Sequence, residues 1–143
     1  ERLERHKLLP YQEYRRVLAS CHLALLPLRR GLPQECKTPI KWLEAAAEST
    51  AVVAGPELYG PWLADSSRGV WAASAEQVVQ EARQLVADLP RRRAIVQEAH
   101  AAAMAHSLPI QVAWRTELYR HVWRLRAHLD QHLLQRWPEL RNT

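Results

Sequence analysis

The sequence contains no phenylalanine and only two cysteines, so tryptophan, which occurs six times, supplies much of the aromatic packing. Cys21 lies in an apolar run and Cys36 in a segment that reads as a loop. Two cysteines placed in this way do not suggest a disulfide framework, and their spacing is not that of metal ligands. We therefore expect a reducing, cytoplasmic environment.

Long apolar runs and the common hydrolase and nucleotide motifs are also missing. No run of about eighteen apolar residues could span a membrane, and no signal peptide is recognisable. The patterns G-x-S-x-G, H-E-x-x-H and G-x-x-x-x-G-K-[ST] do not occur, which argues against those hydrolases and against P-loop enzymes. Because the chain opens with Glu1 and not with Met, we expect it to be part of a longer protein.

The chain is 48% hydrophobic over 143 residues, enough for one domain with a core. The excess of positive over negative charge is confined to its last third. Residues 1–90 hold eleven Lys or Arg and eleven Asp or Glu, whereas residues 91–143 hold nine Arg and four acids. The formal charge of +5 thus belongs to the C-terminal segment.

Residues 33–55 read as a loop, a helix and a buried strand in succession. Thr38 suits a helix N-cap and Pro39 the first helical position, so the helix is predicted to begin at one of them. Its inner stripe is predicted to be Ile40, Leu43 and Ala47. The run at residues 50–54 is short and β-branched, which is typical of a parallel strand covered on both sides.

Predicted helices and strands also alternate outside residues 33–55. Helices are predicted at residues 11–20, 75–88, 90–105 and 109–137, and strands at 22–26 and 69–72. Ser74 and Gln77 indicate a capping box for the helix at 75–88, whose inner stripe is predicted to be Val78, Val79, Ala82, Leu85 and Val86. Short αβ connections favour a parallel sheet.

These residues resemble a known family. K-T-P-I-K-W-L-E-A-A-A followed by A-V-V-A is similar to the donor-site helix and next strand of retaining GT-B glycosyltransferases of the "glycosyl transferases group 1" family, usually K-S-x-[IL]-K-x-L-E-A-x-A-x-G-x-P-V-V-A. The segment from Tyr14 to Leu28 resembles its Y-x-x-L-x-x-x-D-x-x-L-x-P-L pattern. Roughly residues 8–125 follow the family. Cys36 stands where many members have a first glutamate, and Ser49 and Ala51 replace the usual Gly and Pro.

The resemblance implies an α/β fold, a partial Rossmann-like parallel sheet flanked by helices and followed by C-terminal helices. Residues 1–143 would form one domain, with αβ units at 8–108 and a C-terminal helix at 109–137. Missing strands would precede Glu1. The implied function is binding of a nucleotide-diphosphate sugar, such as a UDP- or GDP-sugar, for transfer to an acceptor held by an amino-terminal GT-B domain. The family's usual mechanism needs no metal or other cofactor.

The predicted donor site is the amino end of the Thr38 helix, where free N–H groups and two lysines suit a diphosphate. Glu44 would accept hydrogen bonds from ribose hydroxyls, as the resemblance implies. We expect Glu44 to be exposed toward the ligand and, with Lys37, to be catalytic. The remaining candidates are donor-binding residues: Thr38, Lys41, Glu35, Gln34, Arg29 and Tyr59. The alternative interpretation is that this helix face is only exposed to solvent, with an ion pair between Lys41 and Glu44. The candidates in the loop would then also be exposed to water without a ligand.

Other functions stay open. The fold could belong to a non-catalytic nucleotide-binding or interaction domain. His121, His128 and His132 share one face of the last helix, which could bind a metal, although no carboxylate completes the spacing. Arginines interleave with tryptophans in that helix and could contact an anionic membrane or nucleic acid. A core-facing stripe containing Trp114, Leu118 and Val122, with an arginine-rich outer face, is the favoured interpretation, and we expect no nucleic-acid partner.

Overall fold

The structure is a computed structural model that describes residues 3–27 and 36–142, with side chains up to residue 140. It divides into two compact units, Glu1–Ala105 and His106–Thr143. The first contains the three described strands and five helices. In chain order these are α1 (Tyr11–Ser20), β1 (Leu23–Leu26), α2 (Ile40–Ala47), β2 (Ala51–Ala54), α3 (Pro56–Leu63), β3 (Val70–Trp71), α4 (Ala75–Ala87) and α5 (Leu89–Ala105).

The three strands form a parallel sheet in the order β1-β2-β3. Leu26 pairs with Ala54, and Ala54 pairs with Trp71, so the carboxyl ends of the strands meet at one edge. All four residues of β2 are buried, as expected for a central strand without polar alternation. The predicted α/β class, a small parallel sheet flanked by helices, is confirmed.

Alternate residues of β2 face two separate apolar clusters, because successive side chains of a strand point to opposite faces. Val52 and Ala54 belong to a cluster with Trp42 of α2. Val53 belongs to the other, with Leu85 of α4 and Ile95 of α5. The sheet is therefore covered on both faces.

The inner face of α2 differs from the predicted one. Trp42, Ala45 and Ala46 are buried, whereas Ile40 is 48% exposed. Trp42 is fully buried, and its Nε1 donates a hydrogen bond to the Arg68 carbonyl at 3.0 Å. Burying the largest apolar side chain and satisfying its single donor gives α2 an inner face different from the predicted stripe.

The predicted inner stripe of α4 is also too broad. Ser74 caps this helix as predicted, accepting a hydrogen bond from the Gln77 amide at 3.2 Å. Gln77 in turn accepts from the amide of Ala73 at 2.7 Å. Only Leu85 of the stripe is buried, while Val79 and Val86 are exposed. A helix that touches the sheet along one narrow line buries few of its apolar positions.

The second unit contains α6 (Leu108–Arg136) and a short 3-10 helix, Pro138–Asn142. None of the residues of α6 is buried, and Trp114 and Leu118 are 60% and 40% exposed. The prediction that this stripe faces a core is therefore not confirmed. That residues 1–143 form a single domain stays a prediction. Across the described residues, no helix is both long and apolar enough to span a membrane.

Candidate functional site

Two helices begin at the carboxyl edge of the sheet, where ligands bind in open α/β proteins. α2 is the next described element after β1, and α3 begins at Pro56, directly after β2 and Gly55. The amide of Gly55 donates to the Leu26 carbonyl at 3.4 Å, which ties the ends of β1 and β2 together. This edge is where the sequence predicts the site.

The amino end of α2 starts slightly later than predicted. Pro39 is the N-cap residue, and its carbonyl accepts hydrogen bonds from the amides of Trp42 at 3.0 Å and Leu43 at 3.1 Å. Thr38 precedes the cap, and no side chain caps α2. The amides of Ile40 and Lys41 come before these first helical bonds, so they have no partner within the helix.

A cluster of three side chains lies beside this helix end, and we call it the Tyr14–Lys41–Glu44 cluster. The Tyr14 hydroxyl donates to Glu44 Oε2 at 3.1 Å, and Lys41 Nζ donates to the same oxygen at 3.0 Å. Lys41 Nζ also lies 4.4 Å from the centre of the Tyr14 ring, within reach of a cation–π interaction. The cluster joins α1 to α2 across thirty residues of sequence.

Glu44 is less accessible than the sequence predicts. Its side chain is 11% exposed, whereas that of Lys41 is 51% exposed. The expectation of an exposed carboxylate was wrong because α1 covers this side of α2, so one oxygen is held between Tyr14 and Lys41. The Lys41–Glu44 pair of the alternative interpretation is thus present, at 3.0 Å.

The pKa values of three groups around the cluster are raised. Burial is the main cause for Tyr14, with the hydrogen bond to Glu44 adding to it, so the phenol keeps its proton to higher pH than usual. The hydrogen bond to Glu44 raises the pKa of Lys41 and stabilises its charged form. Burial raises the pKa of Tyr59, and the nearby Lys41 charge partly opposes this. At neutral pH the cluster therefore contains a neutral phenol and an ammonium group.

The other predicted site residues are placed less closely together. Lys37 and Thr38 are exposed just before α2. Tyr59 of α3 is only 4% exposed and belongs to the apolar cluster around Trp42. Arg29, Gln34 and Glu35 lie outside the described residues, so their roles stay predictions.

A recess of about 380 Å³ adjoins the cluster. Tyr14 and Lys41 form one side of it, and Leu8, Leu9 and Val17 supply apolar walls. Spacing alone did not reveal this recess, because residues 3–10 have no helical or strand pattern. Tyr14 was also missed as a site residue. The one available signal was its place in the Y-x-x-L pattern.

Metal-ligating side chains do not converge in the part of the chain that the structure describes. No group of three or more His, Cys, Asp or Glu residues there is arranged to hold a metal ion. His128 and His132 do contact each other, with ring centres 4.4 Å apart. The histidine face of α6 thus contains an edge-to-face pair of rings, without a third ligand among the described residues.

The fold and the carboxyl-edge cluster can be compared with known families. A model of a family described as glycosyl transferase-like matches residues 1–129. The chain belongs to this glycosyl transferase-like family. The match covers the whole of the first compact unit and part of the second, and it includes the parallel sheet and every predicted site residue. No curated protein and no solved structure matches the chain significantly.

Proposed function

We propose that this glycosyl transferase-like chain binds the nucleotide-diphosphate part of a sugar donor at the amino end of α2. The observation that carries the proposal is the placement of a lysine–glutamate cluster beside a helix amino terminus, at the carboxyl edge of a parallel sheet. The amino end of a helix provides free N–H groups and the positive end of the helix dipole, and both attract phosphates. A carboxylate next to it suits ribose hydroxyls.

Each group would have a distinct task in this site. Lys37 is exposed before α2 and would contact the diphosphate as it departs, together with the amides of Ile40 and Lys41. Stabilising negative charge as it develops on the leaving group is the largest contribution such a site makes to rate. Glu44 would bind the ribose through an acceptor oxygen. Cationic and backbone donors suffice for this task, so the proposal includes no metal.

The recess beside Tyr14 and Lys41 supports the same assignment. Its apolar walls and its volume of about 380 Å³ suit a flat ring such as a nucleobase. A base in this recess would place its ribose toward the Tyr14–Lys41–Glu44 cluster and its phosphates toward the amino end of α2. One extended ligand would then use all three features.

The remaining assignments follow from the donor site. Acceptor binding is assigned to an amino-terminal domain of the same full-length protein, so this chain alone would not transfer sugar. We place the protein in the cytoplasm, which its two free, exposed cysteines support. Peripheral contact with an anionic membrane through the arginines of α6 is a further proposal.

Calorimetric titration of the chain with UDP and GDP, with and without Mg²⁺, tests the donor proposal. We expect one of the two to bind with the same affinity in both buffers, and uridine or guanosine to bind more weakly because the phosphate contacts are lost. Lys37→Gln should weaken binding of the diphosphate and leave nucleoside binding unchanged.

If neither UDP nor GDP gives a heat of binding, and a thermal melt shows that the sample is folded, the result would contradict donor binding. It would favour a second candidate, a non-catalytic interaction domain of the same fold. The observation on its side is that Glu44 Oε2 already has two protein donors, as a purely structural carboxylate would.

A further inference from the structure

The two oxygens of the Glu44 carboxylate have different surroundings. Oε2 accepts hydrogen bonds from the Tyr14 hydroxyl at 3.1 Å and from Lys41 Nζ at 3.0 Å. Oε1 accepts none from the residues that the structure describes, and it is not among their buried polar atoms without a partner. Oε2 is therefore held by two protein donors, whereas Oε1 has no donor among the described residues.

Tyr14 is the more rigid of the two anchors. A tyrosine side chain has only two rotatable bonds before the ring, whereas Lys41 has a long chain and is 51% exposed. The ring of Tyr14 also lies 4.4 Å from Lys41 Nζ, so it orients the ammonium group as well. Removing the hydroxyl would leave Glu44 tied only to a flexible partner.

Other contacts also hold α1 in place. Arg15 of α1 forms an ion pair with Glu48, the C-cap residue of α2. The hydroxyl of Thr50 donates to the Leu18 carbonyl at 2.9 Å, which fixes the end of α1 against the start of β2. Leu18 also packs against the Trp42 cluster. Because these contacts already link α1 to its neighbours, the hydrogen bond of the Tyr14 hydroxyl can serve to position Glu44.

We propose that Tyr14 is a positioning residue that holds Glu44 Oε2 so that Oε1 faces the ribose hydroxyls of the bound nucleotide. This inference rests on the proposed function, because it concerns the ribose-binding role of Glu44. It adds a specific consequence. The preference of the site for ribose over a sugar without hydroxyls depends on a residue thirty positions away from the carboxylate, on another helix.

The test compares UDP and GDP with their 2′,3′-dideoxy forms by calorimetry on the full chain. We expect the wild-type chain to bind the ribose form at least about tenfold more tightly, the value of one good hydrogen bond to a charged group. Tyr14→Phe should reduce this ratio to below about threefold while the dideoxy form keeps its affinity. Tyr119→Phe, in α6 and 67% exposed, is the matched control and should keep the wild-type ratio.

A double substitution checks that Tyr14 acts through Glu44. In a Glu44→Gln chain, Tyr14→Phe should cause no further loss of ribose preference, since two residues that act as one unit are not additive. An unchanged ribose preference in Tyr14→Phe, with the preference lost in Glu44→Gln, would overturn the positioning role and leave the proposed function standing. A folded wild-type chain that binds neither diphosphate would remove both.

Discussion

Ser49 adopts a left-handed backbone conformation, with φ at +57°. It follows Glu48, the C-cap of α2. Its amide donates to the Ala46 carbonyl at 3.2 Å, and the amide of Thr50 donates to that of Ala45 at 2.9 Å. This pair of bonds is a Schellman motif, which glycine usually completes. The family pattern has glycine at this position, so the backbone keeps the turn although the side chain differs.

Ser49→Gly should stabilise the protein by about 0.5–1 kcal/mol. The left-handed conformation costs a residue with a side chain about 1–2 kcal/mol, and glycine offsets part of that gain through about 0.5–1 kcal/mol of extra chain entropy in the unfolded state. Denaturant unfolding measures the change. Ala47→Gly, at the last residue of α2, is the control and should destabilise by up to about 1 kcal/mol. Equal losses in both variants would contradict the role of the turn.

At the scale of elements, periodicity predicted most of the helices and strands, although not α3. It did not predict which face of each helix points inward. β2 was predictable because an apolar, β-branched run is typical of a strand covered on both faces. The orientation of α2 was not, because Ile40, Leu43 and Ala47 form as good a stripe as the buried residues. The orientation depends on Trp42. Its ring centre lies 5.4 Å from that of Trp62, and its Nε1 donates to the Arg68 carbonyl.

Trp42→Ala and Ile40→Ala test this orientation of α2 directly. Trp42 is fully buried, so its truncation should lower the free energy of unfolding by about 3–5 kcal/mol through loss of burial and creation of a cavity. Ile40 is 48% exposed, and its truncation should change stability by less than about 1 kcal/mol. Thermal or denaturant melts of both variants suffice. A large loss in Ile40→Ala with a small one in Trp42→Ala would restore the predicted stripe.

At the scale of the whole molecule, the site consists of residues that local patterns cannot connect. Lys41 and Glu44 are three positions apart, so helical spacing predicted their pairing. Tyr14 reaches them only because α1 and α2 lie on the same side of the sheet. The recess depends in addition on residues 3–10, which carry no periodic signal. Sequence therefore predicted two of the three residues of the cluster.

The two compact units hold different parts of the prediction. Every described site residue lies in the first unit, Glu1–Ala105. The second contains the arginines that account for much of the positive charge, and several have partners within α6. Arg120 pairs with Glu117 at 2.6 Å, and Arg126 lies 4.5 Å from the centre of the Trp123 ring. Donor binding is thus expected to depend on the first unit alone.

The most direct test of donor binding measures the affinity of the Glu44→Gln chain for the nucleoside diphosphate. The Glu48→Gln chain is the control. Both glutamates lie on one side of α2, and Glu48 pairs with Arg15, away from the recess. Glu44→Gln keeps the shape of the side chain and removes its charge, so we predict an almost unchanged melting temperature and binding at least about tenfold weaker, or about 1.4 kcal/mol. Glu48→Gln should bind as the wild-type chain does. Equal affinities in all three chains would contradict a donor site at Glu44.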